Sequence, residues 1–257
     1  MKRKIIIGLI GLVWLAGPVG KVRAQFGDYG VRLGLGLATM NDDLSSSTPV
    51  IGASLGGYLN YTFAQSQSVL EETFFLQVGL NLTRRGSNFE EVLENGASLM
   101  LREGYYHSYY VQLPVLACVH YELPIRARGH VVGLFVGPSV SYGLFGRYND
   151  RRITPGIAST SANYDLSFNG SPDSRKVFNH LNQLDVSAII GLSYEYKRLN
   201  ASFYIDHGFL ATSEGDDILR IIENAQSSSN VNVKIPNGHN VAYMLSISYA
   251  LGSFMKE

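Results

Sequence analysis

The feature that most constrains this chain is a period-two alternation of side chains over eight long segments. A β-strand turns successive side chains to opposite faces, so each segment predicts one strand with an apolar face and a small or polar face. In the first segment the apolar residues Tyr29, Val31, Leu33, Leu35 and Leu37 alternate with Gly30, Arg32, Gly34, Gly36 and Ala38. The segments lie at 29–38, 51–63, 74–83, 109–122, 132–144, 184–196, 199–206 and 241–251.

The length of these segments favours a membrane. Globular strands usually run to about 5–6 residues, whereas tilted membrane strands need about 9–11, as most of these segments provide. Beyond the N-terminus no stretch reaches ~18 uninterrupted apolar residues, which excludes transmembrane helices. The polar faces carry mostly Gly, Ser, Ala and Asn, which suit a narrow lumen, rather than the many Lys and Glu of a water-facing surface. We therefore predict an all-β fold: a single transmembrane antiparallel β-barrel of about eight strands, with a soluble lipocalin-like barrel or β-sandwich as the alternative.

The N-terminal residues predict export. Lys2, Arg3 and Lys4 precede the apolar stretch 5–16, and the small residue Ala24 lies before Gln25. This order is typical of a cleaved signal peptide, here residues 1–24, and leaves residues 25–257 as the barrel domain. An uncleaved anchor is the alternative, but a spanning helix needs about 20 apolar residues. Without residues 1–24 the chain carries 16 basic and 21 acidic residues, so no basic patch for nucleic acid is expected.

The connections between the segments alternate between short and long. Short periplasmic turns and longer external loops are typical of outer-membrane barrels. We therefore predict an outer-membrane location with both termini in the periplasm. Residues 86–107 are predicted to form one of the long loops, with a short helical turn at 89–93. An aromatic girdle is expected at the periplasmic strand ends, formed by Tyr61, Phe63, Tyr121, Tyr194, Tyr196 and Tyr249.

Polar side chains on the inner faces predict a network in the lumen. Because buried charges are tolerated when they are paired, the expected role is structural, with Arg32 paired to acidic neighbours. An ion or proton pathway is the alternative, but eight strands leave an interior that side chains just fill. The predicted network consists of Arg32, Gln112, His120, Glu122, Asp185, Glu195, Tyr204 and Asp206.

Catalysis requires a nucleophile, a base and a group that orients the base. The only adjacent pairs worth testing are His107 with Ser108 and Asp206 with His207. Neighbours in a strand point to opposite faces, so neither pair forms a natural dyad. We predict no catalytic residue, no cofactor and no metal site. A lipid A-modifying barrel enzyme is kept as a third hypothesis.

Several strands also resemble a known family. The segment 109–116, YYVQLPVL, and the segment 133–140, GLFVGPSV, are similar to consecutive strands of outer-membrane β-barrels from Bacteroidetes. The segments 30–36 and 79–86 are similar as well. Among these barrels the chain looks most like the PorT-like family, which is associated with the type IX secretion system. The resemblance implies a role in exporting proteases and adhesins, and it transfers no catalytic residue.

The partners expected from this resemblance are outer-membrane lipid and other secretion-system proteins. Neither nucleic acid nor a small-molecule substrate is expected. The rival hypothesis from another class is a structural or adhesive barrel that displays surface loops.

Overall fold

The computed structural model describes residues 25–41, 47–65, 72–95, 98–124, 129–153, 159–166, 168, 182–211 and 238–253. The predicted signal peptide, residues 1–24, lies outside this part of the chain. Within it, no helix has the length and apolar character needed to cross a bilayer. The described residues form nine strands: β1 (Gln25–Asn41), β2 (Ser47–Gln65), β3 (Glu72–Asn95), β4 (Ser98–Glu122), β5 (His130–Ile153), β6 (Thr160–Leu166), β7 (Leu184–Tyr196), β8 (Leu199–Ala211) and β9 (His239–Ser253).

Eight of these strands close into a barrel. Each pairs with its neighbour in the order β1, β2, β3, β4, β5, β7, β8, β9, and β9 returns to pair with β1. All of the pairings are antiparallel. The predicted fold class is therefore confirmed. The ninth strand, β6, was not predicted and pairs with residues 146–152 of β5.

The two faces of the barrel differ as the alternation predicts. Leu33, Leu192 and Leu245 on the outer face are 57%, 61% and 66% exposed, whereas Ser141 and Ser248 on the inner face are almost fully buried. A soluble barrel would turn its apolar face inward to escape water. This barrel turns that face outward, where lipid can cover it.

The ends of the barrel are unlike each other. At one end, here called the turn end, β1 begins, β9 ends and the connections are short. The two-residue turn Lys197–Arg198 lies there, with Lys197 in the left-handed conformation at φ 59°. At the same end the Leu123 amide donates a hydrogen bond to the His130 carbonyl over 2.8 Å. The opposite end, where β1, β3 and β8 finish, is called the loop end.

Aromatic side chains on the outer face mark both ends. The predicted girdle residues Tyr61, Tyr121, Tyr194, Tyr196 and Tyr249 lie at the turn end, while the side chain of Phe63 is outside the described set. A second group lies toward the loop end and was not predicted. It consists of Tyr109, Tyr142, Phe145, Phe209 and Tyr243. Two aromatic groups on either side of an apolar band delimit a membrane-spanning zone.

Strand structure continues beyond the second aromatic group. The predicted loop 86–107 and its helical turn at 89–93 are wrong, because β3 and β4 remain paired as far as Asn95 and Ser98. Cross-strand contacts explain the extension: Arg151 pairs with Glu103 at 2.9 Å, and the ring of Phe89 stacks on Tyr148 at 5.4 Å. We call residues 86–95, 98–107, 146–153 and β6 the wall. At a rise of ~3.3 Å per residue, its longest strands extend about 30 Å past the aromatic group.

Candidate functional site

The lumen is filled at successive levels, and an ion-pair cluster around Arg85 lies in its upper part, toward the loop end. Arg85 Nη1 lies 3.1 Å from Asp185 Oδ2, and Arg85 Nη2 lies 2.5 Å from Asp206 Oδ2. Gln112 donates a 2.7 Å hydrogen bond to Asp206, and Asn240 donates a 3.2 Å bond to Asp185. All five side chains are buried. They join β3, β4, β7, β8 and β9 across the lumen.

An aromatic cap covers this cluster on the loop-end side. The ring of Tyr110 lies 5.5 Å from the Arg85 guanidinium, and Phe168 packs edge-on against Tyr110 at 5.6 Å. Phe168 fits because residue 143 is glycine: a Cβ there would lie 2.5 Å from the Phe168 ring. Tyr106 and Tyr148 are buried beside them. Phe168, two residues after β6, therefore helps to close the mouth of the barrel.

The middle of the lumen is apolar. Leu116, Phe135, Ile189 and Met244 belong to a buried cluster that also contains Tyr204. The sequence predicted an inner face of small and polar residues, so the size of these side chains is a correction to that prediction. They interlock across the barrel axis and separate the Arg85 cluster from the lower lumen. The remaining members of the cluster are Ala38, Phe75, Cys118 and Ala242.

Arg32 lies in the lower lumen, nearest the turn end. Its Nη2 donates a 2.5 Å hydrogen bond to Gln77 Oε1, and its guanidinium lies 5.5 Å from the ring centre of Tyr58. A cavity of about 30 Å³ adjoins these side chains, which is room for about one or two waters. His120 Nδ1 and Glu195 Oε2, 4.0 Å apart, border the same cavity.

The predicted network is therefore divided among several places. Gln112, Asp185 and Asp206 meet in the upper cluster, and Tyr204 lies in the apolar level. Arg32, His120 and Glu195 line the lower cavity. Glu122 joins neither group and accepts a 3.3 Å hydrogen bond from the Gly129 amide at the turn end. The expected ion pair of Arg32 is wrong among the described residues, since its partners are an amide and an aromatic ring.

Arg85, the cation that organises the upper cluster, was missed. The predicted strand stopped at residue 83, although the inner-face pattern Gln77, Gly79, Asn81, Thr83 continues in step to Arg85. Counting two residues further would have placed a charge in the lumen. The signal was hidden because Arg84, its neighbour, is also charged and lies on the outer face.

The residue pairs considered for catalysis do not meet. Ser108 is buried inside the barrel while His107 lies on the outer face of β4, and Asp206 is held by Arg85 while His207 is exposed outside. In the part of the chain that the structure describes, no three His, Cys, Asp or Glu side chains are grouped as metal ligands. The lumen is filled by salt bridges and packed side chains.

The outer face of the wall carries ordered rows of side chains. Nearest the apolar band, Tyr109 and Phe145 stack at 4.7 Å beside Arg84. The next row places Gly86, His107, Arg147 and Asp165 side by side on β3 to β6. Above it, Asn149 donates a 2.7 Å hydrogen bond to Asn163. The face thus changes from apolar to basic and then to polar within a few residues.

A closed barrel with an outward apolar band, two aromatic groups and a filled lumen defines the class of narrow outer-membrane β-barrels. A family comparison gives the same answer at the level of sequence. The model of the outer membrane protein beta-barrel domain matches residues 23–213, and the chain belongs to that family. It is accordingly an outer-membrane protein.

Two solved structures illustrate the similarity. Ail, the attachment invasion locus protein of Yersinia pestis, is 10% identical with a TM-score of 0.31, and the match covers 87% of this chain and 97% of Ail. Neisserial surface protein A is 9% identical with a TM-score of 0.33, over 87% and 97% of the two chains. A search of curated proteins found no match to the sequence.

Proposed function

We propose that this protein is a non-conducting, non-enzymatic barrel that supports protein secretion by making protein contacts at the outer membrane. The observation that carries the proposal is the contrast between its two parts. The lumen is plugged from the aromatic cap to the apolar level, while the loop end is built up into an ordered four-stranded wall. A barrel of this shape provides a surface for binding rather than a passage through its lumen.

The plug argues against transport through the lumen. A solute would have to pass Phe168, the Arg85 salt bridges and the apolar cluster around Leu116 in turn. Opening the upper level would leave two buried carboxylates and a guanidinium without their partners, which is strongly unfavourable.

The wall is suited to binding a protein. Its strands are fixed by cross-strand pairing, and its outer face presents Tyr105, Asn163 and Ser161 to solvent. Rigid presentation lowers the entropy lost on binding, and tyrosine is a common anchor at interfaces. We further propose that the loop end faces the exterior and that both termini lie in the periplasm.

The assignment to secretion rests on the PorT-like sequence resemblance. It makes other secretion-system proteins the expected partners, with proteases and adhesins as the exported cargo. An adhesive or structural barrel would use the same wall to contact a host surface or an envelope component. The two hypotheses share the mechanism of contact and differ in the partner.

The test begins with a chromosomal deletion, followed by measurement of how secreted proteases partition between cells and medium. Two plasmid copies are then compared with the wild-type copy. In the first, residues 90–103 are replaced by Asn-Gly, which joins the paired residues Phe89 and Gly104 by a two-residue hairpin. In the control, the same Asn-Gly replaces Lys197–Arg198 at the turn end.

Secretion through contact with the wall predicts accumulated precursors in the deletion strain and in the wall-trimmed strain, with normal export in the control. Normal export in the deletion strain would contradict the secretion role, and a simultaneous loss of adhesion would favour the adhesive barrel. A change in lipid A mass on deletion would favour an enzyme. Plasmid copies with alanine at His107, His120 or His207 that fail to restore the mass would then locate its site. Orientation is measured separately with Ser161→Cys. Residue 161 is exposed, so an impermeant maleimide should label the new cysteine on intact cells if the loop end faces the exterior. The native Cys118 is buried and should not react.

A further inference from the structure

The outer face at the base of the wall carries a basic group whose charges are not balanced within the described chain. Arg84, His107 and Arg147 lie on neighbouring strands β3, β4 and β5 and point away from the lumen. His107 and Arg147 are directly paired across the strands, and Arg84 is one step diagonal to His107. Side chains related in this way lie within about 5–8 Å at Cβ, close enough to share one ligand.

The two arginines of this group differ from the others nearby. Arg85 holds two aspartates in the lumen, and Arg151, further up the same face of β5, pairs with Glu103. Within the part of the chain that the structure describes, neither Arg84 nor Arg147 has an ion pair. Asp165 lies opposite Arg147 on β6 and is the one described carboxylate that faces the group in these rows. The group therefore keeps an excess of positive charge.

The packing around His107 is close. Residue 86, opposite His107, is glycine, and a Cβ there would lie 2.1 Å from the Tyr106 carbonyl oxygen and 3.0 Å from His107 Nδ1. The glycine therefore allows β3 to approach β4 and the His107 ring closely. Arg84 Nε and His107 Nδ1 are also shielded from solvent without a hydrogen-bond partner in the described structure, which is an unfavourable state for polar atoms.

The position of the group identifies the ligand. The stacked rings of Tyr109 and Phe145 lie one row below it, at the edge of the apolar band. A molecule bound here has an acyl surface on one side and basic side chains on the other. We propose that Arg84, His107 and Arg147 bind the phosphate of a lipid A headgroup in the outer leaflet. This step rests on the proposed orientation of the barrel and is independent of the secretion role.

The test uses the purified full-length mature barrel in nanodiscs that contain lipid A or its dephosphorylated form. Lipid retained by the protein is quantified by native mass spectrometry. The variants are R84Q, R147Q and the double variant, and R151Q is the matched control because Arg151 is an exposed arginine of the same strand as Arg147 with an acidic partner. Circular dichroism and heat-dependent gel mobility verify that each variant is folded.

We expect lipid A to be retained in preference to the dephosphorylated lipid. Each single variant should weaken retention about tenfold, which corresponds to ~1.4 kcal/mol, and R151Q should leave it unchanged. Equal retention of both lipids, or equal retention by the double variant and the wild type, would overturn the proposal. Displacement by excess inorganic phosphate alone would also overturn it, since it would identify a site for free phosphate.

Failure of this proposal is distinguishable from failure of the proposed function. The wall-trimmed protein lacks residues 90–103 but keeps Arg84, His107 and Arg147. It should therefore lose secretion while it retains lipid A, and the R84Q/R147Q double variant should show the reverse.

Discussion

Two arginines in one lumen show how differently a buried cation can be accommodated. Arg85 is neutralised by Asp185 and Asp206, while Arg32 relies on the amide of Gln77 and the ring of Tyr58. Removing one partner of a buried ion pair leaves an uncompensated charge, which is far less favourable than losing a neutral hydrogen bond. The two positions should therefore respond differently to the same substitution.

Arg85→Met should lower the free energy of unfolding by about 3–5 kcal/mol, because two buried carboxylates lose their cation. Arg32→Met is the matched variant and should lower it by about 1–2 kcal/mol, the loss of a hydrogen bond and a cation–π contact. Urea unfolding in lipid vesicles measures both. Adding Asp185→Asn and Asp206→Asn to Arg85→Met should restore much of the loss, and no recovery would show that charge is not the cause.

At this scale the sequence predicted most of the polar lumen residues but not their arrangement. Parity along a strand decides whether Asp185 or Asp206 points inward, and that is visible in the sequence. Which cation they meet depends on the stagger between strands far apart in the chain, such as β3 and β8. Arg32 is the more obvious candidate within a predicted strand, and only the closed barrel shows that Arg85 is the partner.

Strands are the elements that the sequence predicts best, and the wall shows where the prediction ends. The eight barrel strands have an apolar outer face, which makes the period of two visible. In the wall the outer face carries Asn88, His107, Arg147 and Asn149, so both faces are mixed and the alternation disappears. Pairing between strands, rather than a hydrophobic pattern, holds this region together.

The wall depends on close packing at Gly104. A Cβ at this position would clash with the Asn149 carbonyl oxygen and with the Phe89 ring. Gly104→Val should therefore separate β4 from β5 beyond the second aromatic group and leave the barrel closed. Limited trypsin digestion followed by mass spectrometry should show new cleavage at Arg151, with unchanged heat-dependent gel mobility.

Asn163→Val is the control for this prediction, since residue 163 is exposed on β6 and valine favours strands. It should leave the digestion pattern unchanged. A Gly104→Val protein as resistant to trypsin as the wild type would mean that the wall tolerates the added side chain.

The whole molecule combines a lipid-facing surface with an interior that has no continuous channel among the described residues. Closure at several levels means that opening one of them does not create a pore. In planar bilayers the wild-type protein should give no steady unitary current. The variant Arg32→Ala/His120→Ala, which enlarges only the lower cavity, should remain silent because Leu116 and its neighbours still block the axis.

A sixteen-stranded porin serves as the positive control, because barrels of about that size hold an aqueous channel. Stable single-channel steps from the wild-type protein would contradict the plugged lumen.

The pairing of β1 with β9 determines when the barrel can close during folding. It joins residues near opposite ends of the described chain, such as Gly30 and Ala250. Until β9 pairs, β1 and β8 have unpaired strand edges beside an exposed apolar surface. This combination favours aggregation. A molecule clipped before His239 is consequently an open sheet rather than a smaller barrel. Closure of the ring thus requires the first and last strands of the described chain in the same molecule.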